Sequence, residues 1–311
     1  MVGGLKKRVL LVQYSQSGQL TDVMRRFCAP LAGAEDVELC VETLQPEVPY
    51  PFPWPVLRFF DTFPETVYGD APALQPLSDA AQGPFDLVIL SYQAWFLSPS
   101  LPVTAFLKSE AGKALLKGVP VVTVVACRDM WLMAQEQVKL HLAEAGAHLV
   151  GHVALVDEAG TIGSFLATPV WVMTGKKGPH LGGLIPRAGV KPEQIEACDR
   201  FGSRILERLR SGAALDTSLL TGLGAVRINE ALIFSENAGR RGFKVWGKLL
   251  RWLGPQGSWQ RKPVLIFYMA WLVMAILVLV PLGMLLQKVL RPFRGAALAR
   301  QKAHYSAPSG A

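Results

Sequence analysis

The chain has 311 residues, half of them hydrophobic, and a formal net charge of +8. That apolar content excludes a disordered or acidic solvating chain, and the length suits one large domain with an appendage or two small domains. The charge is lopsided: residues 1–211 carry 19 Lys and Arg against 21 Asp and Glu, residues 212–311 carry 13 against 3, so the basic excess marks the last third and is no footprint for nucleic acid.

Met1–Leu20 contains no apolar segment of secretory length, so the N-terminal domain is expected to stay in the cytosol. Arg8–Tyr14 reads as a short apolar strand, and a helical stretch begins after Gly18. Val37–Leu44 alternates like a strand. Phe85–Ser91 is a third strand, followed by a helix around Val103–Leu116; Val119–Cys127 is a fourth, followed by a helix over Leu132–Ala145. His148–Val156 is the fifth, and Pro192–Arg210 an amphipathic closing helix. Buried-type strands alternating with helices predict an α/β domain over residues 1–211, with a doubly wound parallel sheet of order 2-1-3-4-5.

Two segments exceed the minimal repeat. Residues 45–84 are rich in Pro and aromatics, which predicts a packed-down lid, a recognition ligand being the alternative, and residues 158–190 carry Gly and Pro throughout; both are too long for plain connectors. Residues 212–239 read as a linker. Residues 240–262 interleave Phe243, Val245, Trp246 and Trp252 with Arg240, Arg241, Lys244, Lys248 and Arg251, the pattern of a basic amphipathic helix on an anionic lipid surface; a calmodulin-type target helix shares it.

From Pro263 to Leu286 run 24 residues without a charge. As a helix they span about 36 Å, more than the roughly 30 Å hydrocarbon core, which predicts a C-terminal anchor; a buried soluble helix is the alternative. Basic residues flank both ends, including Arg261, Lys262, Lys288, Arg291 and Arg294, so charge does not orient the span, and Pro281 with Gly283 leaves a re-entrant course open. Residues 287–311 read as a basic flexible tail. The expected location is the cytoplasmic membrane, with the α/β domain on the cytoplasmic side.

The four cysteines lack CxxC spacing and the five histidines show only a loose His148/His152 pair along one strand, so no metal site is predicted. In a sheet of this order ligands bind beyond the carboxyl ends of the strands, at the switch point between strands one and three. Three loops meet there. Ser15-Gln16-Ser17-Gly18-Gln19-Leu20 sets hydroxyls and a glycine at a helix N-terminus, which suits a monophosphate or a plain N-cap, and it matches neither GxGxxG nor a P-loop. Tyr92-Gln93-Ala94-Trp95-Phe96 places aromatics on a loop, where they usually stack on something flat. Cys127-Arg128-Asp129-Met130-Trp131 ends the fourth strand. By themselves Trp131 and Met130 read as core packing and Arg128-Asp129 as a charged turn on a solvated loop.

Together these loops resemble flavodoxin. The resemblance implies FMN, with its phosphate on Ser15 to Leu20, its ring flanked by Trp95, and the third loop, from Cys127 through Arg128 and Met130 to Trp131, as the far wall. Leu20 stands where the family has a hydroxyl, with Thr21 one step later. The blocks VLLVQYSQSGQLTDV, PYPFPWPVLRFFDTFPE, YQAWFLSPSLPVTAFL, VVACRDMWLMAQEQVK and MTGKKG are similar to the bacterial proteins labelled dialkylresorcinol condensing enzymes. These are encoded beside ketosynthases in dialkylresorcinol and aryl-polyene pathways. Condensation needs a Cys nucleophile with His partners, and Cys127 has none nearby in sequence.

The resemblance therefore implies redox chemistry. A dialkylcyclohexane-1,3-dione must lose two hydrogens to become a resorcinol, with FMN as acceptor, Arg128 at the enolate oxygen and Asp129 moving the proton. The expected partners are the lipid bilayer, a lipophilic cyclic dione or quinone, and a ketosynthase. An NAD(P)H:quinone reductase or electron carrier, and a non-catalytic scaffold for a ketosynthase, are the alternatives.

Overall fold

The computed structural model describes residues 6–157 and 161–309; residues 1–5, residues 158–160 at the start of the second long segment, and residues 310–311 at the tail's end lie outside it. Five parallel strands, β1 (Lys7–Gln13), β2 (Val37–Thr43), β3 (Leu87–Tyr92), β4 (Pro120–Cys127) and β5 (His148–Val156), form one sheet in the order β2-β1-β3-β4-β5. This is the flavodoxin-like doubly wound order, with its switch point between β1 and β3. β3, at the centre, is buried along its whole length, which is why its sequence is continuously apolar rather than alternating.

The crossovers obey the apolar spacing that the sequence shows. Leu20, Val23, Met24 and Phe27 share one face of α1 (Gln19–Phe27) and are buried on the sheet. Asp22 in its first turn and Arg25 and Arg26 in its last complement the helix dipole. The first long segment folds into α2 (Val56–Asp61) and α3 (Phe63–Tyr68). The predicted helix 103–116 is two pieces: α4 (Leu101–Lys108) stops at Ser109, whose side chain caps a second helix, Glu110–Leu116, by accepting from Gly112 N. After β4 comes α5 (Leu132–Glu144), after β5 α6 (Thr161–Thr174) in the second long segment, and the predicted closing helix is two pieces, a short helix Pro192–Glu196 and α7 (Asp199–Ser211).

The last third departs from its sequence reading. Residues 212–239 are no loose linker: Leu219, Leu220, Ala225 and Val226 are buried in the main core, and Ala225 O accepts from Ala154 N on the edge strand β5. The basic amphipathic helix starts earlier than predicted, as α8 (Ile233–Trp252). A turn leads to α9 (Arg261–Met274), one π-helical turn at Ala275–Leu279, and α10 (Val280–Ser306), a continuous helical run. The π turn sits just before Pro281, which has no N–H for the regular helical bond. Of the predicted flexible tail, residues 287–309 are ordered by contacts: through Ser306 they are helix, Tyr305 is buried, and Ser309 Oγ bonds both the N–H and the C=O of His152.

α8 and the α9–α10 run form an antiparallel hairpin. Leu250 packs with Leu265, Trp246 lies 5.5 Å from Trp271, and Gly283 lies against Phe234 and Ser235. A Cβ at Gly283 would stand 3.2 Å from Ser235 Oγ, so a glycine there lets the helices meet. The hairpin sits on the α/β domain through Phe63, which stacks on Tyr268 with centroids 4.2 Å apart, and through Phe243.

Candidate functional site

β1, β3 and β4 end on the same edge of the sheet, and the chain beyond β1 and β3 builds one cluster. After β1, Gly18 is the N-cap of α1 with φ +82°, a left-handed conformation that glycine adopts without strain, and it provides no side-chain cap. The first-turn N–H groups of α1 thus face outward beside two serines, an arrangement suited to an anion. The Ser15 hydroxyl oxygen is buried and lacks a hydrogen-bond partner. A buried hydroxyl left unpaired is costly, so this atom points to a ligand that would satisfy it.

Gln16 fixes the loop from three sides. Its backbone N–H donates to Gln93 Oε1 at 3.2 Å, its Nε2 donates to the carbonyls of Tyr50 and Pro51 at 3.1 and 2.6 Å, and its Oε1 accepts from Tyr14 at 2.6 Å. One glutamine therefore stitches the loop after β1 to the loop after β3 and to the Pro-rich segment. Gln19 is turned inward, where its side chain donates to Val190 O at 3.4 Å.

Beyond β3, Ala94–Trp95 pairs with Ser98–Pro99 in a two-stranded ribbon closed by Phe96 and Leu97, at φ +46° and +60°. Gln137 Nε2 holds this strained turn by donating to Leu97 O and Ser98 Oγ. Three rings meet Trp95 edge-on: Tyr14 at 6.0 Å, Tyr50 at 5.3 Å and Trp54 at 5.8 Å. Burial raises both tyrosine pKa values, Tyr50 to about 12, so both remain neutral hydroxyls at physiological pH.

The second long segment closes over the first. Trp54 N donates to Val172 O on α6 at 2.9 Å, Phe52 lies 6.3 Å from Trp171, and Gly189 N donates to Asp157 Oδ2 at 2.9 Å. Beside the aromatic cluster lies a groove of about 530 Å³ lined by Tyr50, Leu57 and Arg58 on one side and Arg261, Lys262 and Leu265 of the hairpin on the other.

After β4, the Arg128 guanidinium lies 3.8 Å from the Phe165 ring centroid, and burial lowers its pKa to about 10, which leaves it cationic at neutral pH. Asp129 accepts from Asn229 Nδ2 at 2.7 Å, and burial holds its carboxyl above the ordinary range. Burial likewise raises the thiol of Cys127 well above its usual value, as it raises Cys28 to about 12 and Cys198 to about 11. Cys127 is thus a poor thiolate nucleophile.

The structure brings Ser15, Gln16, Ser17, Gly18, Gln93, Ala94 and Trp95 together. It turns others away. Leu20 is buried on the sheet with α1's apolar face, because its helical position, one turn from Val23 and Met24, faces the core. Tyr92 is fully buried inside the sheet and donates to Gln135 Oε1 at 2.8 Å. Trp131 is core, 4.9 Å from the His152 ring, and Met130 packs beside that core. Phe96, forced outward by its positive φ, joins Phe59, Phe63 and Phe243 at the hairpin contact. Tyr14, Tyr50 and Trp54 enclose Trp95; Tyr14 opens the first loop, and for Tyr50 and Trp54 the density of aromatics between prolines is the sequence signal.

No protein-family model and no curated protein matches the chain. Among solved structures, it is similar to a flavoprotein in complex with FMN from Lactobacillus acidophilus, 18% identical over 48% of this chain and 93% of that one, with TM-score 0.37. It is also similar to a flavodoxin from the domain Archaea, 12% identical over 65% and 99%, TM-score 0.36, and to an oxidised flavodoxin from Bacillus cereus, 14% identical over 65% and 98%, TM-score 0.35. The sheet order, rather than these scores, carries the fold assignment.

Proposed function

We propose that the chain is a membrane-associated, FMN-dependent oxidoreductase that aromatises a lipophilic cyclic dione. The observation that carries the flavin half is the buried, unpartnered Ser15 hydroxyl at the uncapped N-terminus of α1, one loop away from the half-buried Trp95. Ser15, Ser17, Gly18 and the first-turn N–H groups would hold a monophosphate, Gln16 and Gln93 would fix the loop, and Trp95 would flank a flat ring. The residues present fit FMN. When bound, it supplies a two-electron hydride acceptor.

The chain's own part is binding and proton handling. Arg128, cationic at neutral pH, would neutralise the enolate oxygen as the dione loses its α proton, and Asp129, whose burial makes it a stronger base than a free carboxylate, would take that proton. The substrate loses one proton and one hydride and tautomerises to the resorcinol. The groove between Leu57 and Leu265 offers apolar walls to an alkyl chain next to the Trp95 cluster. The two long segments cover that cluster and so exclude water from it. Condensation is given no step, since burial keeps the thiols of Cys28, Cys127 and Cys198 protonated.

Purified protein in detergent should be yellow and should release FMN on denaturation. A colourless preparation that takes up no FMN overturns the flavin reading and leaves the scaffold alternative. A yellow preparation given a synthetic 2,5-dialkylcyclohexane-1,3-dione under air should form the resorcinol. Rapid bleaching by NAD(P)H with no resorcinol would instead assign the quinone reductase or electron-carrier role.

A further inference from the structure

Among the described residues one helix, Arg261–Val289, is long and apolar enough to cross a membrane by length and composition. Its start and the chain beyond its end are nevertheless tied to the same folded body. At the start, Arg261 is buried and reaches Asp61, the last residue of α2, at 3.4 Å and Glu65, in the first turn of α3, at 2.7 Å. Tyr268, two turns later, stacks on Phe63 of α3. At the far end, His304 meets Glu136 of α5 at 2.9 Å, Tyr305 is buried in the main core, and Ser309 clamps His152 of β5. The middle is held too, with Gly283 against Phe234 and Ser235 of α8.

A helix that crosses a bilayer once delivers its two ends to opposite sides. Here residues before and after the apolar run touch one α/β domain, so a crossing would tear away one end or the other. The run is at the same time apolar on its outer face. Ile266, Val273, Leu277, Leu282, Leu285 and Val289 are all exposed and recur at helical spacing opposite Leu265, Tyr268, Ala275 and Gly283. A contiguous apolar stripe of this length on a protein surface marks an interaction site.

The surroundings say what covers it. Trp252 and Trp259, at the tip of the hairpin, are 79% and 72% exposed, as amphipathic rings at a headgroup boundary would be. Lys244, Lys248 and Lys262 are exposed beside Val245, Leu249 and Ile266. Lysines flanking an apolar stripe complement anionic headgroups, whereas a second copy packed about a two-fold axis would bring like charges together.

We propose that the α8 and α9–α10 hairpin is a monotopic membrane-docking element, its apolar stripe lying in one anionic leaflet without crossing it. This rests on the membrane half of the function proposed above and is independent of the flavin half. It gives the groove between Tyr50, Leu57 and Leu265 a position beside the leaflet, from which an alkylated substrate enters without passing through water.

The test is a topology measurement on the full-length protein expressed in bacterial cells. Single cysteines are introduced before and after the run by Gln260→Cys and Gly295→Cys; a Cβ at Gly295 meets no atom within 4 Å, so the change is sterically free. Labelling by a membrane-impermeant maleimide is read as the increment over the parent chain, in inside-out vesicles and in intact spheroplasts. We expect both cysteines to label in inside-out vesicles and neither in spheroplasts. Labelling of the two sites from opposite sides overturns the monotopic reading while leaving membrane association intact. In parallel, the purified protein is floated with vesicles of phosphatidylcholine alone or with one third phosphatidylglycerol. Lys248→Glu/Lys262→Glu should lower binding to the anionic vesicles by about tenfold or more. Failure of the parent protein to float with either vesicle, with dimerisation through the stripe in its place, overturns both the membrane reading and this inference, whatever the colour of the preparation.

Discussion

Glu236 on α8 accepts a hydrogen bond of 2.7 Å from the backbone N–H of Met133, so a carboxyl from the hairpin caps the helix that follows β4. α5 has no side-chain cap of its own at Trp131, and the cap is supplied from about a hundred residues away. Through this contact the state of the hairpin reaches the loop that bears Arg128 and Asp129.

Glu236 is buried, and burial raises its pKa to about 8 against the opposing pull of the Met133 N–H and of Arg240, with Asp129 adding to the rise. A carboxyl whose pKa is raised on folding contributes stability that is complete below its unfolded value of about 4.5 and is lost as the pH climbs through about 8. Hairpin docking should therefore weaken from pH 5 to pH 9. Glu236→Gln keeps an acceptor for Met133 and removes the charge, so its Tm should vary less over that range. At pH 9 it should be the more stable protein by about 2–4 kcal/mol. Parallel Tm profiles for the two proteins would refute the assignment.

Ser15→Ala separates binding from stability. If the hydroxyl serves a phosphate, its loss should weaken FMN binding about tenfold, as for a hydrogen bond to a charged group. Because Ser15 Oγ has no partner within the chain, the FMN-free variant should be as stable as the parent or up to about 1 kcal/mol more so. Fluorescence titration with FMN and thermal melts of the FMN-free protein check both halves. A destabilised variant would mean the serine is a structural cap.

The strands were legible because parallel strands buried on both faces must be apolar throughout; each observed strand lies within two residues of its sequence reading. Side-chain direction was not legible. Tyr92 ends β3 in register with Val125 of β4 and points to Gln135, and no local pattern distinguishes that from a ring turned to the ligand. Residues 212–239 looked like a linker because Leu219, Leu220 and Val226 reach the core from irregular chain, which has no period to detect. Composition showed that residues 45–84 cover something. Only the fold shows that Gln16 holds Tyr50 and Pro51, and that Tyr50 and Trp54 box Trp95.

Arg261 is almost fully buried, and its guanidinium also donates through Nε to Leu250 O and Gly254 O at 3.0 and 2.7 Å. Arg261→Ala removes the partner of both Asp61 and Glu65, and breaking a buried pair from one side costs about 3–5 kcal/mol. The loss should be confined to the hairpin. Limited proteolysis should cut residues 253–260 in the variant far faster than in the parent, with the α/β domain surviving as a resistant fragment. Global unfolding at the same temperature would show that the hairpin and the sheet form one cooperative unit.

Arg128 and Asp129 are adjacent in sequence but have different neighbours, Phe165 and Asn229, and the proposed chemistry gives them separable signatures. Arg128→Met removes the charge held for the enolate oxygen and should lower kcat by about a hundredfold, the usual loss for one electrostatic stabiliser. Arg128→Lys keeps a cation and should recover part of that rate. Asp129→Asn preserves an acceptor for Asn229 and removes the base. In the parent, kcat/KM should rise with pH through the raised pKa of Asp129, because only the carboxylate takes a proton. That limb should vanish in Asp129→Asn while FMN affinity stays unchanged. If Arg128→Met lowers FMN affinity instead of turnover, Arg128 is a cofactor ligand and the enolate must be stabilised elsewhere.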